Sequence, residues 1–128
     1  MPYHISKTVD YSFDEAIQRA TDALKTEGFG VLTEIDVKDT LKQKLNADFR
    51  DYRILGACNP EFAHQALLKE DKIGTMLPCN IVVQVNPEGQ VEVSAVDPME
   101  SMSAVQNDSL ADIAKQVRER LQRVIDNL

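Results

Sequence analysis

The sequence predicts an α+β fold, in which a mixed or mainly antiparallel sheet of about five strands is covered by helices as a two-layer sandwich. Three observations support this prediction. The elements follow one another in the order β-α-β-α-β-α-β-β-α along the 128 residues. Each long predicted helix carries a single apolar stripe, which is typical of a helix packed on one side. Apolar and polar residues alternate along 29–37 and 91–96, which favours a sheet with one wetter face over an all-parallel sheet.

The chain begins with a predicted strand and a predicted helix. The alternation from Tyr3 to Val9 is typical of a strand. Ser12 and Glu15 have the spacing of a capping box, which predicts a helix N-terminus, and Gly28 predicts the end of that helix. The apolar face of this helix consists of Phe13, Ile17, Ala20 and Leu24.

The next two predicted elements are a strand and a short helix. Residues 29–37 show the period of two that a half-buried strand requires. Asp36 or Asp39 then caps a short helix that continues to Leu45. We expect Leu41 and Leu45 to face inward, because the lysines of this segment occupy the opposite side of the helix.

The middle of the chain predicts a strand, a helix and a hairpin. Arg50 to Ala57 is the third strand, and it leads into a helix that begins at Pro60. Residues 80–85 and 91–96 flank the tetrapeptide 86–89, whose proline and late glycine predict a type I turn followed by a residue of positive φ. This combination is typical of a β-hairpin.

The last part of the chain combines an irregular stretch with a long helix. Residues 97–107 have no clear periodicity and predict a loop or a short irregular turn. Within and before this stretch, Met76, Met99 and Met102 are candidates to line an adaptable pocket, although methionine more commonly fills gaps in a core. Ser109 then caps the predicted helix. Its apolar residues are Leu110, Ile113, Ala114, Val117, Leu121, Val124, Ile125 and Leu128.

Length and charge limit the class of protein. The length of the chain and its 43% hydrophobic residues predict that residues 1–128 form one globular domain with a hydrophobic core. The net charge of -7 argues against a nucleic-acid partner, because such binding needs clustered cations. The first residues lack the features of a secretory signal, and no apolar stretch reaches the length of a membrane span. We therefore expect a cytoplasmic protein that does not bind membranes and that has two free thiols.

Two turns that contain cysteine are the candidate functional segments. In the first, Cys58 precedes Asn59 and Pro60, a favoured helix cap and a favoured first helical residue. A thiolate of Cys58 at this helix N-terminus is stabilised by the helix dipole. In the second turn, Cys79 opens the apolar strand after Pro78, which favours a packed cysteine over a reactive one. We expect the two turns to meet at one edge of the fold.

The two cysteine turns resemble a known family. The segments Arg53 to Pro60 and Leu77 to Val83, in this order and with these flanking elements, look like the signature of the bacterial and archaeal family DUF302, a domain of unknown function. The resemblance extends from Tyr3 to the last helix and includes the Asp97-Pro98 pair after the hairpin. It implies a compact α+β domain, often dimeric, with no established general activity. Some members are fused or linked to sulfur-handling proteins.

Two functional hypotheses remain open. In the first, the protein is a ligand-binding or protein-interaction domain, forms a homodimer, and uses the surface at the Cys58 and Cys79 turns. In the second, it is a thiol-dependent enzyme or sulfur carrier with a small-molecule or sulfur-relay partner, Cys58 being the nucleophile and Cys79 the resolving or supporting thiol. The alternative to both hypotheses is that the two cysteines are buried core residues with a purely structural role. The candidate ligand-binding residues are Arg53, Asn59, His64 and Asn80.

We expect no metal and no cofactor. Cys58, Cys79 and His64 offer three potential ligands, whereas a structural zinc site normally takes four at recognisable spacings. A hydrolase triad of Cys58, His64 and Asn80 is disfavoured, because the helix carries His64 more than a turn away from Cys58. Asn59 has a sufficient role as a helix cap, and Arg53 is expected to snorkel to the edge of the sheet if it binds no anion.

Overall fold

The computed structural model describes residues 2–128, and its elements follow the predicted order. Within this range the strands are β1 His4–Val9, β2 Gly30–Asp36, β3 Tyr52–Cys58, β4 Cys79–Val85 and β5 Val91–Val96. The α-helices are α1 Phe13–Thr26, α2 Val37–Leu45, α3 Pro60–Lys69, α4 Pro98–Ser101 and α5 Ala111–Asp126, with short 3-10 turns at 73–76, 103–105 and 108–110. None of these helices combines the length and the hydrophobicity that a membrane crossing requires. The predicted α+β class is confirmed.

The strands form one sheet in the order β1-β5-β4-β3-β2, and each neighbouring pair is antiparallel. The predicted hairpin is present, with Val85 paired to Val91 and with Gly89 at a φ of +81°. The register between β2 and β3 shifts between Val31 and Thr33, which is a bulge in the edge strand β2. Of the two predicted kinds of sheet, mixed or mainly antiparallel, the second is therefore correct.

One face of the sheet forms the core together with α1 and α5. Helix α1 contacts β4 and β5, and α5 contacts β1 and β5. The helices contribute the buried residues Ala16, Ala20, Leu24, Ile113, Ala114, Val117, Leu121, Val124 and Ile125. The sheet contributes Leu55, Ala57, Ile81, Val83, Val93 and Ala95. Residues that alternate with these, such as Val82 and Gln84, point to the other face and are only half-buried.

Side-chain caps begin α1 and α2 where the sequence predicts helix starts. The backbone N–H of Glu15 donates to Ser12 Oγ at 3.2 Å, and Gly28, with a φ of +84°, follows the end of α1. The backbone N–H of Asp39 donates to Asp36 Oδ1 at 2.9 Å. Asp36, and not Asp39, is therefore the cap of α2.

The predicted orientation of α2 is wrong for one of its two leucines. Leu45 is 70% exposed, and Leu41 is only half-buried. Helix α2 starts at the residue after β2 and contacts β2 and β3. Because no linker separates it from the strand, α2 stays near the strand ends and does not reach the core layer formed by α1 and α5.

The stretch 97–107, predicted as a loop or an irregular turn, contains the short helix α4 and a 3-10 turn. The buried carboxylate of Asp97 organises it. Asp97 Oδ1 accepts a hydrogen bond from the backbone N–H of Met99 at 3.0 Å, and Asp97 Oδ2 accepts one from Arg118 Nε at 2.9 Å. The first bond caps α4, and the second ties α4 to α5. Met102, the residue after α4, is thereby held against the core.

Candidate functional site

The two cysteine turns border one cavity. Cys58 ends β3 and Cys79 begins β4, and the neighbouring residue Ala57 pairs with Cys79 in the sheet. The cavity has a volume of about 30 Å³ and is lined by both cysteines, by Asn59 and by apolar residues. The larger apolar side chains on its wall are Phe29, Phe62, Leu77, Met102, Ile113 and Val117. This volume exceeds the roughly 10–15 Å³ that one water molecule needs, so a small chemical group fits.

The two thiols have different environments. Cys79 is 8% exposed, whereas Cys58 is half-buried. Burial, and as a second cause the nearby Cys58 thiol, raises the pKa of the Cys79 thiol to about 11. Cys79 is therefore a neutral thiol near pH 7, because an apolar environment disfavours its charged form. This agrees with the expectation that Cys79 is packed.

Asn59 occupies the cap position of α3 but does not act as the cap. Its side-chain Nδ2 donates instead to the backbone carbonyl of Glu27 at 3.3 Å, and Arg120 Nη1 donates to the same carbonyl at 3.0 Å. The predicted capping role of Asn59 is thus wrong: its side chain turns to the end of α1, and its Oδ1 accepts no hydrogen bond from the first turn of α3. The result is a junction between the end of α1, the start of α3 and α5 beside the cavity.

Arg53 lies at the other end of β3 from Cys58. Its guanidinium pairs with two carboxylates of β2: Arg53 Nη1 with Glu34 Oε1, and Arg53 Nη2 with Asp36 Oδ2 at 3.3 Å. Asp36 is the direct partner of Arg53 in the strand register, so the pairing follows from the sheet. Arg53 is therefore separated from the cysteine turns, and its charge is already neutralised.

His64 and Asn80 also lie apart from the cavity. His64 is exposed on α3. Asn80 is exposed on the opposite face of the sheet from Cys79, because successive residues of a strand point to opposite faces. There it lines a wide groove of about 300 Å³ together with Tyr52 and Glu92. Of the six predicted site residues, the structure brings Cys58, Cys79 and Asn59 together.

The cavity wall also includes Met102, which was one of three candidate methionines, and Phe62, which was not predicted as a site residue. Met102 lines the cavity, although it comes from the stretch that lacked periodicity, while Met99 and Met76 line other surface grooves. Phe62 lines it from α3. Among residues 2–128, no three histidine, cysteine, aspartate or glutamate side chains gather as a possible metal site.

Comparisons with known proteins agree with the fold and add a family. The chain is similar to the crystal structure of the uncharacterized conserved protein DUF302 from Bacillus stearothermophilus, with 30% sequence identity and a TM-score of 0.93. The similarity covers 99% of this chain and 98% of that chain. No curated protein matches the chain significantly. The family model "Domain of unknown function DUF302" matches residues 5–128, so the chain belongs to the DUF302 family.

Proposed function

We propose that this protein is a ligand-binding domain that takes a small, uncharged or soft group into the cavity between the Cys58 and Cys79 turns. The observation that carries this proposal is that both cysteines line one apolar cavity. Among the described residues that line it, Asn59 is the one polar amide, and the others are apolar or contain sulfur. Apolar walls with a few polar groups are typical of small-molecule sites.

The size of the cavity limits the ligand. One buried methylene contributes roughly 0.8 kcal/mol, so a group that fits about 30 Å³ gives only weak binding by itself. A ligand of useful affinity must therefore bind the thiols directly or extend out of the cavity. Both cysteines are free, and the reducing cytoplasm that we propose as its location keeps them so.

Filling the cavity is expected to abolish binding of a small apolar probe. Dimethyl sulfide and xenon, followed by methyl NMR, should shift the methyl signals of Leu77, Ile113 and Val117, which line the cavity. In Ala66→Leu the added carbons occupy the cavity, and the shifts should disappear. Leucine at this buried position costs about 1–3 kcal/mol by overpacking, so circular dichroism must confirm that the variant folds.

The control for this experiment is Ala111→Leu, which makes the same change at an exposed position of α5. This variant should retain the probe-induced shifts. If Ala66→Leu does not fold, Ala63→Val, at a half-buried position of the same wall, replaces it. An absence of localised shifts in the wild-type protein, or equal shifts in Ala66→Leu and the wild type, contradicts the ligand-binding proposal.

A second candidate function, a thiol-dependent enzyme or sulfur carrier, is supported by the asymmetry of the two cysteines. Cys58 is half-buried and immediately precedes α3, whose first turn Asn59 does not cap. Cys79 is buried and its thiol is neutral near pH 7, as its raised pKa of about 11 requires. In this function Cys58 is the nucleophile and Cys79 the resolving or supporting thiol. Alkylation rates separate this function from simple ligand binding.

We also propose that the protein forms a homodimer through the sheet face opposite α1 and α5. Ile54, Val82 and Val96 are half-buried on this face. At micromolar concentration, light scattering should give the mass of two chains. Val82→Glu should give the mass of one chain, because Val82 lies on the middle strand β4 and pairs with Ile54, and a charge at this position is costly to bury. Leu68→Glu, on exposed α3, should remain dimeric, and a wild-type protein with the mass of one chain refutes the proposal.

A further inference from the structure

Three sulfur-containing residues line the cavity between the cysteine turns. Cys58 comes from the end of β3, Cys79 from the start of β4, and Met102 from the residue after α4. Cys79 and Met102 are 8% and 9% exposed, so two of the three are almost excluded from water. Three separate segments of the chain thus each contribute one sulfur-containing residue to the lining of a cavity of about 30 Å³.

We propose that Cys58, Cys79 and Met102 together bind one soft monovalent metal ion of the Cu(I) class. The inference rests on the proposed ligand-binding function of this cavity and names the class of ligand. The expectation of no metal site considered His64 as the third ligand, and His64 is exposed on α3. Met102 takes the place of that third ligand.

The donor set selects the ion. Thiolate and thioether ligands are soft and favour Cu(I), whereas Mg²⁺ and Ca²⁺ require oxygen ligands. Zinc in structural sites takes four nitrogen or sulfur ligands, and the described lining of this cavity contains two thiols and no imidazole. The site is therefore matched to Cu(I) and poorly matched to the common hard cations.

The protons and charges balance without an oxidant or reductant. Each thiol transfers its proton to solvent as its metal–sulfur bond forms, the thioether binds without losing a proton, and the oxidation state of the metal does not change. Two thiolates and one Cu(I) leave a single negative charge. That charge lies beside the N-terminus of the ten-residue helix α3, which favours anions.

Positive charge also borders the wall of the cavity. The guanidinium carbon of Arg120 lies 5.1 Å from the ring centroid of Phe62, which lines the cavity. Arg120 is held there by its hydrogen bond to the Glu27 carbonyl, which Asn59 shares. The junction in which Asn59 takes part thus holds a cation against Phe62, a residue of the cavity wall, and leaves the first turn of α3, which follows Cys58, without a side-chain cap.

The buried Met102 and the exposed Met99 provide a matched test. Reduced protein is titrated anaerobically with Cu(I) in competition with a chromophoric Cu(I) chelator, and one equivalent should bind. Cys58→Ser, Cys79→Ala and Met102→Leu should each weaken binding by more than about tenfold. Met99→Leu, at a 45% exposed residue of α4, should leave the affinity unchanged. Met102→Leu conserves volume, so its fold should persist.

Two results would contradict the proposed Cu(I) site. Equal Cu(I) affinity of Met102→Leu and Met99→Leu overturns the three-sulfur site, and so does binding of Zn²⁺ as tight as that of Cu(I). X-ray absorption should show sulfur as the ligand of the bound ion. If Cu(I) fails to bind while dimethyl sulfide still shifts the methyl signals of the cavity, the metal inference fails alone and the ligand-binding function stands.

Discussion

Replacing Gly56 with alanine is expected to destabilise the protein by about 1–3 kcal/mol, the usual cost of overpacking. Gly56 is buried in β3, between the edge strand β2 and the second cysteine turn. A Cβ atom at this position would lie 2.1 Å from Thr33 Oγ1 and 2.8 Å from Pro78 Cγ. The threonine hydroxyl can rotate away, but the proline ring is rigid. A displacement of Pro78 would therefore also move Cys79, the next residue in the chain. The reduced entropy of the unfolded alanine chain offsets only about 0.4–1 kcal/mol of this cost.

Gly30→Ala is the matched control for Gly56→Ala. Gly30 lies in the neighbouring strand β2, and a Cβ atom there has no atom within 4 Å. Urea unfolding should therefore show Gly30→Ala within about 0.5 kcal/mol of the wild type. In a Thr33→Ala background, Gly56→Ala should cost less, because one of its two contacts is gone. Equal stability of the two alanine variants contradicts the close approach of Pro78 to β3.

The sequence predicted most parts of the fold that depend on local signals. The exception is Ser109, which does not cap α5, because that helix begins at Ala111 with Leu110 at its cap position. The capping pair Ser12 and Glu15 and the turn ending at Gly89 behave as their spacing requires, because their partners lie within a few residues. The apolar stripes of α1 and α5 predicted which sides of these helices are buried. These stripes also predicted the two-layer architecture, since both helices need a surface to cover.

Two of the errors arise where a partner distant in the sequence determines what a side chain contacts. Asn59 was predicted to cap α3, but its amide donates to the Glu27 carbonyl, 32 residues earlier in the chain. Arg53 was a candidate ligand for an anion, but the strand register places it opposite Asp36. No local sequence pattern predicts either contact. The first depends on how α3 packs against the end of α1, and the second on strand order and register, which the whole sheet determines. Met102 was one of three candidate methionines, and only the packing of α4 distinguishes it.

The convergence of the two cysteine turns was an expectation of the sequence analysis, and the antiparallel pairing of β3 with β4 gives its physical reason. The end of one strand lies beside the start of the next, so Ala57 pairs with Cys79 and Cys58 follows at once. The functional roles of these residues remain predictions. The sequence offered no means to distinguish Cys58 from Cys79 beyond their neighbours, whereas burial in the fold does so directly.

Alkylation of the native protein by iodoacetamide at pH 8 is expected to modify Cys58 and to leave Cys79 almost unmodified. The thiolate is the reactive form, and a thiol whose pKa is about 11 is ionised in roughly one molecule in a thousand at this pH. An ordinary cysteine, with a pKa near 8.5, is about one quarter ionised. Cys79 should therefore react on the order of a hundredfold more slowly in the native protein than in urea, and burial slows it further.

The pH dependence and one variant complete this prediction. The rate of Cys79 modification should rise about tenfold per pH unit and level off near pH 11, because each unit multiplies the thiolate fraction by ten below the pKa. Cys58→Ser should leave the native protein almost unlabelled at pH 8, and mass spectrometry of the peptides assigns each site. Modification of Cys58 that is faster in the native protein than in urea supports the thiol-dependent function. Rapid native labelling of Cys79 at pH 8 refutes its burial as a neutral thiol, since a desolvated thiol stays protonated and unreactive.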